Sequence, residues 1–144
     1  MSLNLQELFD LPHLIIQYSA NVENTLDMQS LCYAMYDVML SSGVFPLAGI
    51  RVRAFSADHA VIADRLPDNG FVDMVLRIGE GRSAADKKQL GQSIMTKAES
   101  VCAELLSKPH FALSLEIVEI SREFSWKTNT MHARLAKAEK PGSS

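Results

Sequence analysis

Residues 71–83, Phe-Val-Asp-Met-Val-Leu-Arg-Ile-Gly-Glu-Gly-Arg-Ser, decide the fold. Val72, Met74, Leu76 and Ile78 alternate with more polar neighbours, the period of a strand with one face buried. Gly79-Glu80-Gly81-Arg82 then makes a tight connection. Ser83, with Asp86 three residues on, reads as a capping-box-like helix start. The spacing of Ile94, Ala98, Val101, Cys102, Leu105 and Leu106 predicts a buried helical stripe up to about Lys108, where Pro109 stops it. Ala112–Ile120 reads as the returning strand. The second half of the chain is therefore strand, helix, strand.

The first half repeats that order without repeating its residues. His13–Tyr18 is short, apolar and β-branched, which predicts a buried strand. Asp27 is the expected N-cap of a helix over Met28–Leu40, whose apolar face is Leu31, Met35, Val38 and Met39. Ser41, Ser42 and Gly43 end it. Ile50–Phe55 alternates again, with Ile50, Val52 and Ala54 on one face and Arg51, Arg53 and Phe55 on the other. Ala60–Ala63 reads as a short strand, and Pro67–Gly70 as a turn cluster. Each strand-helix-strand unit implies a right-handed crossover between parallel strands. Two units give an α/β (α+β) fold: a four-stranded mixed sheet with two helices on one face. The bare sheet face calls for cover, which predicts an oligomer.

A chain of 144 residues, 47% of them apolar, suits one domain. The balance of 14 basic and 17 acidic side chains gives a net charge of -3 and argues against a nucleic-acid partner. No apolar run approaches the roughly 20 residues of a membrane span, and residues 1–11 lack the pattern of a signal peptide. Cys32 and Cys102 read as buried free thiols. A cytoplasmic protein is the expectation.

His13, His59, His110 and His132 show no metal-ligand spacing, so no metal site is expected. There is no GxSxG elbow, and a lone GxG before a helix is a weak phosphate signal. Proline and arginine remain as carriers of chemistry. Arg51 and Arg53 share one strand face, and cations so placed need anions. Arg82 at a helix start opposes the macrodipole, which favours an anion nearby. Phe45 and Phe55 read as core. Trp126, Lys127 and Asn129 read as an anchor for the tail across a subunit interface.

Five stretches occur in an order that resembles the 5-carboxymethyl-2-hydroxymuconate delta-isomerase family of the tautomerase superfamily. They are PHLIIQYSAN (12–21), SGVFPLAGIR (42–51), FVDMVLRIGEGR (71–82), FALSLEI (111–117) and SWKTNTMHA (125–133). The resemblance spans Pro12 to about Leu135. It implies a tautomerase-like domain over 12–135, with 1–11 a leader or extension outside the fold and 136–144 a flexible tail. It implies a cytoplasmic homotrimer that moves a proton along a conjugated dicarboxylate in aromatic catabolism, without a cofactor. By the resemblance, Pro12 is the catalytic base, and Arg51 and Arg82 bind substrate carboxylates; Arg53, on the strand face of Arg51, reads as a supporting residue.

Family members begin at the proline, whose secondary amine is free. Unperturbed α-amino groups have pKa values of about 7.7–8.0, and burial beside arginines lowers them, leaving a neutral base near pH 7. Here Leu11 precedes Pro12, and an acylated proline nitrogen has no basic lone pair. A start at the Leu11 codon, proteolytic exposure of Pro12, and a genuine extension are the three explanations, the first being preferred. The rival function is a non-catalytic trimeric protein that binds small carboxylates. Tautomerase activity on phenylpyruvate-type enols is compatible with the isomerase.

Overall fold

Two parallel strand pairs joined back to back build the sheet. The computed structural model describes residues 11–138. The first pair is β1 (His13–Ser19) and β2 (Arg51–Ala57), linked by α1 (Met28–Ser41). The second is β3 (Gly70–Gly79) and β4 (Phe111–Ile120), linked by α2 (Ala84–Val101) and the short α3 (Ala103–Leu106). β1 runs antiparallel to β3, so the order is β2-β1-β3-β4. A last helix, α4, spans Met131–Ala138.

Both long helices cover one sheet face. Leu14, Ile16, Tyr18, Val72, Met74, Leu76 and Ile78 point into the core, where they meet Leu31, Met35 and Met39 of α1 and Leu90, Ile94 and Ala98 of α2. The predicted caps form. The Asp27 carboxylate accepts from the Ser30 amide at 3.1 Å, and the Ser83 hydroxyl accepts from the Asp86 amide at 3.1 Å. Gly43 takes φ 73° just past α1, and Gly81 takes φ 108° in the turn before α2. Both conformations favour glycine.

Several expectations change. Residues 60–63 form no strand; they belong to a loop in which Ala63 and Arg65 adopt positive φ. α2 ends at Val101 because Cys102 leaves helical geometry, and α3 carries the stripe on: Cys102 is buried and Leu105 packs against the core, while Leu106 is exposed. Phe55 lies on the face away from the helices, 52% exposed, so only Phe45 of the two phenylalanines is core. Residues 136–138 continue α4, and residues 139–144 lie outside the described residues. Of the expected leader only Leu11 is described, and it is buried at 2% exposure.

The opposite face has its own register. His13 lies between Arg51 and Arg77, and Ile15 lies between Arg53 and Val75. Val118 neighbours Arg77, and Glu116 neighbours Val75. The segment after β4 returns to this end: the Asn129 side-chain amide donates to the Ala48 carbonyl at 3.0 Å.

Truncation of Leu76, at the centre of the covered face, to Ala is expected to cost about 2–5 kcal/mol. Loss of the Ser83 cap on substitution by Ala is expected to cost about 1 kcal/mol. Urea unfolding of the two variants checks the order; a smaller loss for Leu76 would contradict its place in the core.

Candidate active site

Pro12 stands directly before β1 with its ring fully buried. Its carbonyl accepts from the Arg51 amide at 3.0 Å, the first rung of the β1–β2 ladder. β2 begins at Arg51 because Pro46 is extended and Leu47–Gly49 make one 3-10 turn, aiming the chain along β1. Parallel pairing then sets Arg51 beside His13, and the two-residue period puts Arg53 on the same face.

The His13 ring lies between those arginines. Arg51 Nη1 is 3.1 Å from His13 Nε2, and Arg53 Nη1 is 3.1 Å from His13 Nδ1. A neutral imidazole has one donor and one acceptor nitrogen. It can accept from only one of the two guanidiniums, and the other contact sets N–H against N–H. Protonation would worsen both contacts. Burial, followed by the charges of Arg51, Arg53, Arg77 and Lys127, lowers the His13 pKa to about 4. The imidazole is therefore neutral at pH 7 and acts as a spacer among cations.

A cleft of about 280 Å³ opens beside it, lined among others by Leu11, His13, Arg51, Arg77, Trp126 and Lys127. No Asp or Glu is among its described lining residues. Lys127, half-buried, has its pKa lowered by burial and then by Arg77. A larger cleft of about 340 Å³ lies at the far end of the sheet, where Asp68 and Glu104 accompany Lys108. Charge, and not volume, distinguishes the smaller cleft as a place for an anion.

Arg51 and Arg53 thus meet at His13, next to Pro12. Arg82 follows β3, whose antiparallel course brings its end to the start of β1. It is not in the cleft lining: its guanidinium donates to the Val44 carbonyl at 3.0 Å and lies 5.1 Å from the centre of the Phe45 ring. The Asn129 anchor closes within the chain, while Trp126 is 85% exposed. Sequence reasoning missed His13, considered only as a metal ligand, together with Arg77 and a cleft role for Lys127. Arg77 occupies an outward position of the alternating strand beginning at Phe71, and that alternation was its available signal. Among the described residues, no cluster of three or more His, Cys, Asp and Glu could hold a metal ion.

The sheet order and paired helices recur in solved structures of low sequence identity. The asymmetric trimer of fused 4-OT, 17% identical, has a TM-score of 0.59 over 85% of this chain and 98% of its own, a likeness of fold. The sequence match is narrower. The profile of the 5-carboxymethyl-2-hydroxymuconate isomerase family matches residues 12–135, so the chain belongs to that family and is an isomerase. The Escherichia coli 5-carboxymethyl-2-hydroxymuconate Delta-isomerase is 34% identical over 123 residues, 85% of this chain and 98% of that protein. The crystal structure of a 5-carboxymethyl-2-hydroxymuconate isomerase from Deinococcus radiodurans R1 is 33% identical with a TM-score of 0.84, over 92% of this chain and 98% of its own.

The depressed His13 pKa has a consequence for stability. Between its ordinary value of 6.5 and about 4, the unfolded chain holds a proton on this ring that the folded chain does not. Stability is therefore lost as pH falls through that window. Denaturant unfolding from pH 7 to pH 4 is expected to show this fall, and His13→Gln to flatten it. An unchanged slope in the variant contradicts a neutral His13.

Proposed function

We propose that this isomerase shifts a proton along a hydroxymuconate-type diacid, with the Pro12 nitrogen as general base in a chain that begins at Pro12. The observation that carries the proposal is the position of Leu11. It is buried against the start of β1 and lines the same cleft as Arg51. Without Leu11, the proline nitrogen would be a secondary amine opening onto that space, beside a fixed guanidinium.

The chemistry follows from those groups. The amine, kept neutral by burial and neighbouring cations, removes a proton next to a carbonyl and returns it further along the conjugated chain. The proton count is unchanged. Arg51 grips a carboxylate bidentately, and Arg82 supplies a second fixed cation from the turn after β3. Arg53 supports Arg51 through the shared His13 ring. These charges stabilise the enolate that forms between the two proton transfers. Proton transfer of this kind needs a base and an oxyanion partner. We place the enzyme in the cytoplasm as a homotrimer. The trimer of fused 4-OT, of the same fold, supports that assembly.

The test compares a protein initiated as Met-Pro12, with its methionine removed, against the 144-residue chain. Turnover of a hydroxymuconate diacid is expected only from the first. Acetylation of the Pro12 nitrogen in the short form is expected to lower kcat about 10²–10⁴-fold, the usual contribution of a general base. Equal turnover by the two lengths would remove the proline amine from the mechanism. Binding without turnover in both would make the protein a small-carboxylate binder.

A further inference from the structure

The turn that leads into β2 stops one residue short, and a side chain from the far end of the chain accounts for it. Within the turn, the Gly49 amide donates to the Pro46 carbonyl at 3.0 Å and the Ile50 amide to the Leu47 carbonyl at 3.3 Å. One more step of this 3-10 pattern would send the Arg51 amide to the Ala48 carbonyl. It goes instead to the Pro12 carbonyl, at 3.0 Å. The Ala48 carbonyl accepts from the Asn129 side-chain amide, also at 3.0 Å. Asn129 therefore takes the place of the next amide of the turn.

We propose that Asn129 is a positioning residue for the isomerase: by occupying the Ala48 carbonyl it releases the Arg51 amide to Pro12, and so fixes arginine and proline relative to each other. The inference rests on the reading of Pro12 and Arg51 as base and carboxylate grip, and adds the residue that sets their geometry. Three observations carry it. Ala48 is 6% exposed, and a buried carbonyl needs a partner. With Asn129 removed, the 3-10 pattern offers the Arg51 amide, at the expense of the first rung of the β1–β2 ladder. Asn129 is itself held in place. Its side-chain oxygen accepts from the Met131 amide at 2.9 Å where α4 begins, and α4 packs against the 47–49 turn. A carbonyl on one side and an amide N–H on the other leave one orientation for its side chain. Finally, Asn129 lines the cleft together with Arg51 and His13. A turn lengthened through Arg51 would bend that residue off the extended course of β2 and draw its guanidinium from the His13 ring, 3.1 Å away.

Hydrogen bonds can be read directly by NMR, through the scalar coupling that each transmits from donor nitrogen to acceptor carbon. In the 144-residue wild type, couplings are expected from the Arg51 amide to the Pro12 carbonyl and from the Asn129 side chain to the Ala48 carbonyl. A coupling from Arg51 to Ala48 in the wild type overturns the proposal before any variant is made. Asn129→Ser keeps an acceptor for the Met131 amide and lacks the reach to Ala48. In this variant the Arg51 coupling is expected to leave Pro12 for Ala48; an Arg51–Pro12 coupling of wild-type size overturns the role. In the form that begins at Pro12, the same substitution is expected to lower kcat/KM about tenfold, the weight of one charge-assisted hydrogen bond at the substrate carboxylate. Both kcat and KM are expected to change, because base and grip move together, whereas a smaller folded fraction would lower kcat alone and counts against positioning. A displaced Arg51 coupling with unchanged kcat/KM leaves the geometric role standing and counts instead against Pro12 and Arg51 as the working pair.

Discussion

The parallel register of β1 against β2 is the constraint on which the site depends. It opposes His13 to Arg51 and Ile15 to Arg53, so the outward residues of β2 are arginines while Val52 and Ala54 pack toward the helices. A slip of one residue would invert this arrangement, sending guanidiniums toward α1 and branched aliphatics outward. Burial of Leu14, Ile16 and Val52 therefore does more than hold the sheet. It positions the cations beside Pro12, because a strand cannot bury one side without presenting the other.

That gathering of charge works against the sheet. Arg51, Arg53 and Arg77 share a face with a histidine whose two ring nitrogens cannot both accept hydrogen bonds. Solvent, the neutral state of His13 and the long arginine stems make the cluster tolerable. Lys127 joins them from the final segment, partly desolvated. Local arrangements that oppose stability tend to mark functional sites.

The two strand-helix-strand units are alike in architecture and unlike in role. The first contributes the proline at its opening and the arginines of its second strand. The second contributes Arg77 within β3 and Arg82 just after it. They meet at one end of the sheet only because β1 and β3 run antiparallel. The segment after β4 then ties down across that end through Asn129 and Ala48. No single unit could assemble the cleft.

Much of this was legible in the residues. Alternation in Phe71–Ile78, the caps at Asp27 and Ser83, and the two parallel crossovers all express local periodicity and local hydrogen bonding, so a linear chain displays them. The family motifs brought Pro12, Arg51 and Arg82 forward, and the alternation of β2 brought Arg53. Where local signals weakened, at residues 60–63 and beyond Val101, the expectation went astray. Ala60–Ala63 has strand-like residues without a partner strand, and the helix is interrupted at Cys102 although its stripe, apart from Leu106, stays packed. The union of His13, Arg51, Arg77 and Lys127 was not legible at all. Those four residues come from three strands and a loop, and their adjacency is set by strand register and by the path of the final segment. Sequence by itself determined which faces are apolar and which strands cross over, because those are properties of neighbours along the chain. Tertiary structure alone decided which cations share a cleft, because that depends on distances between segments that only packing brings together.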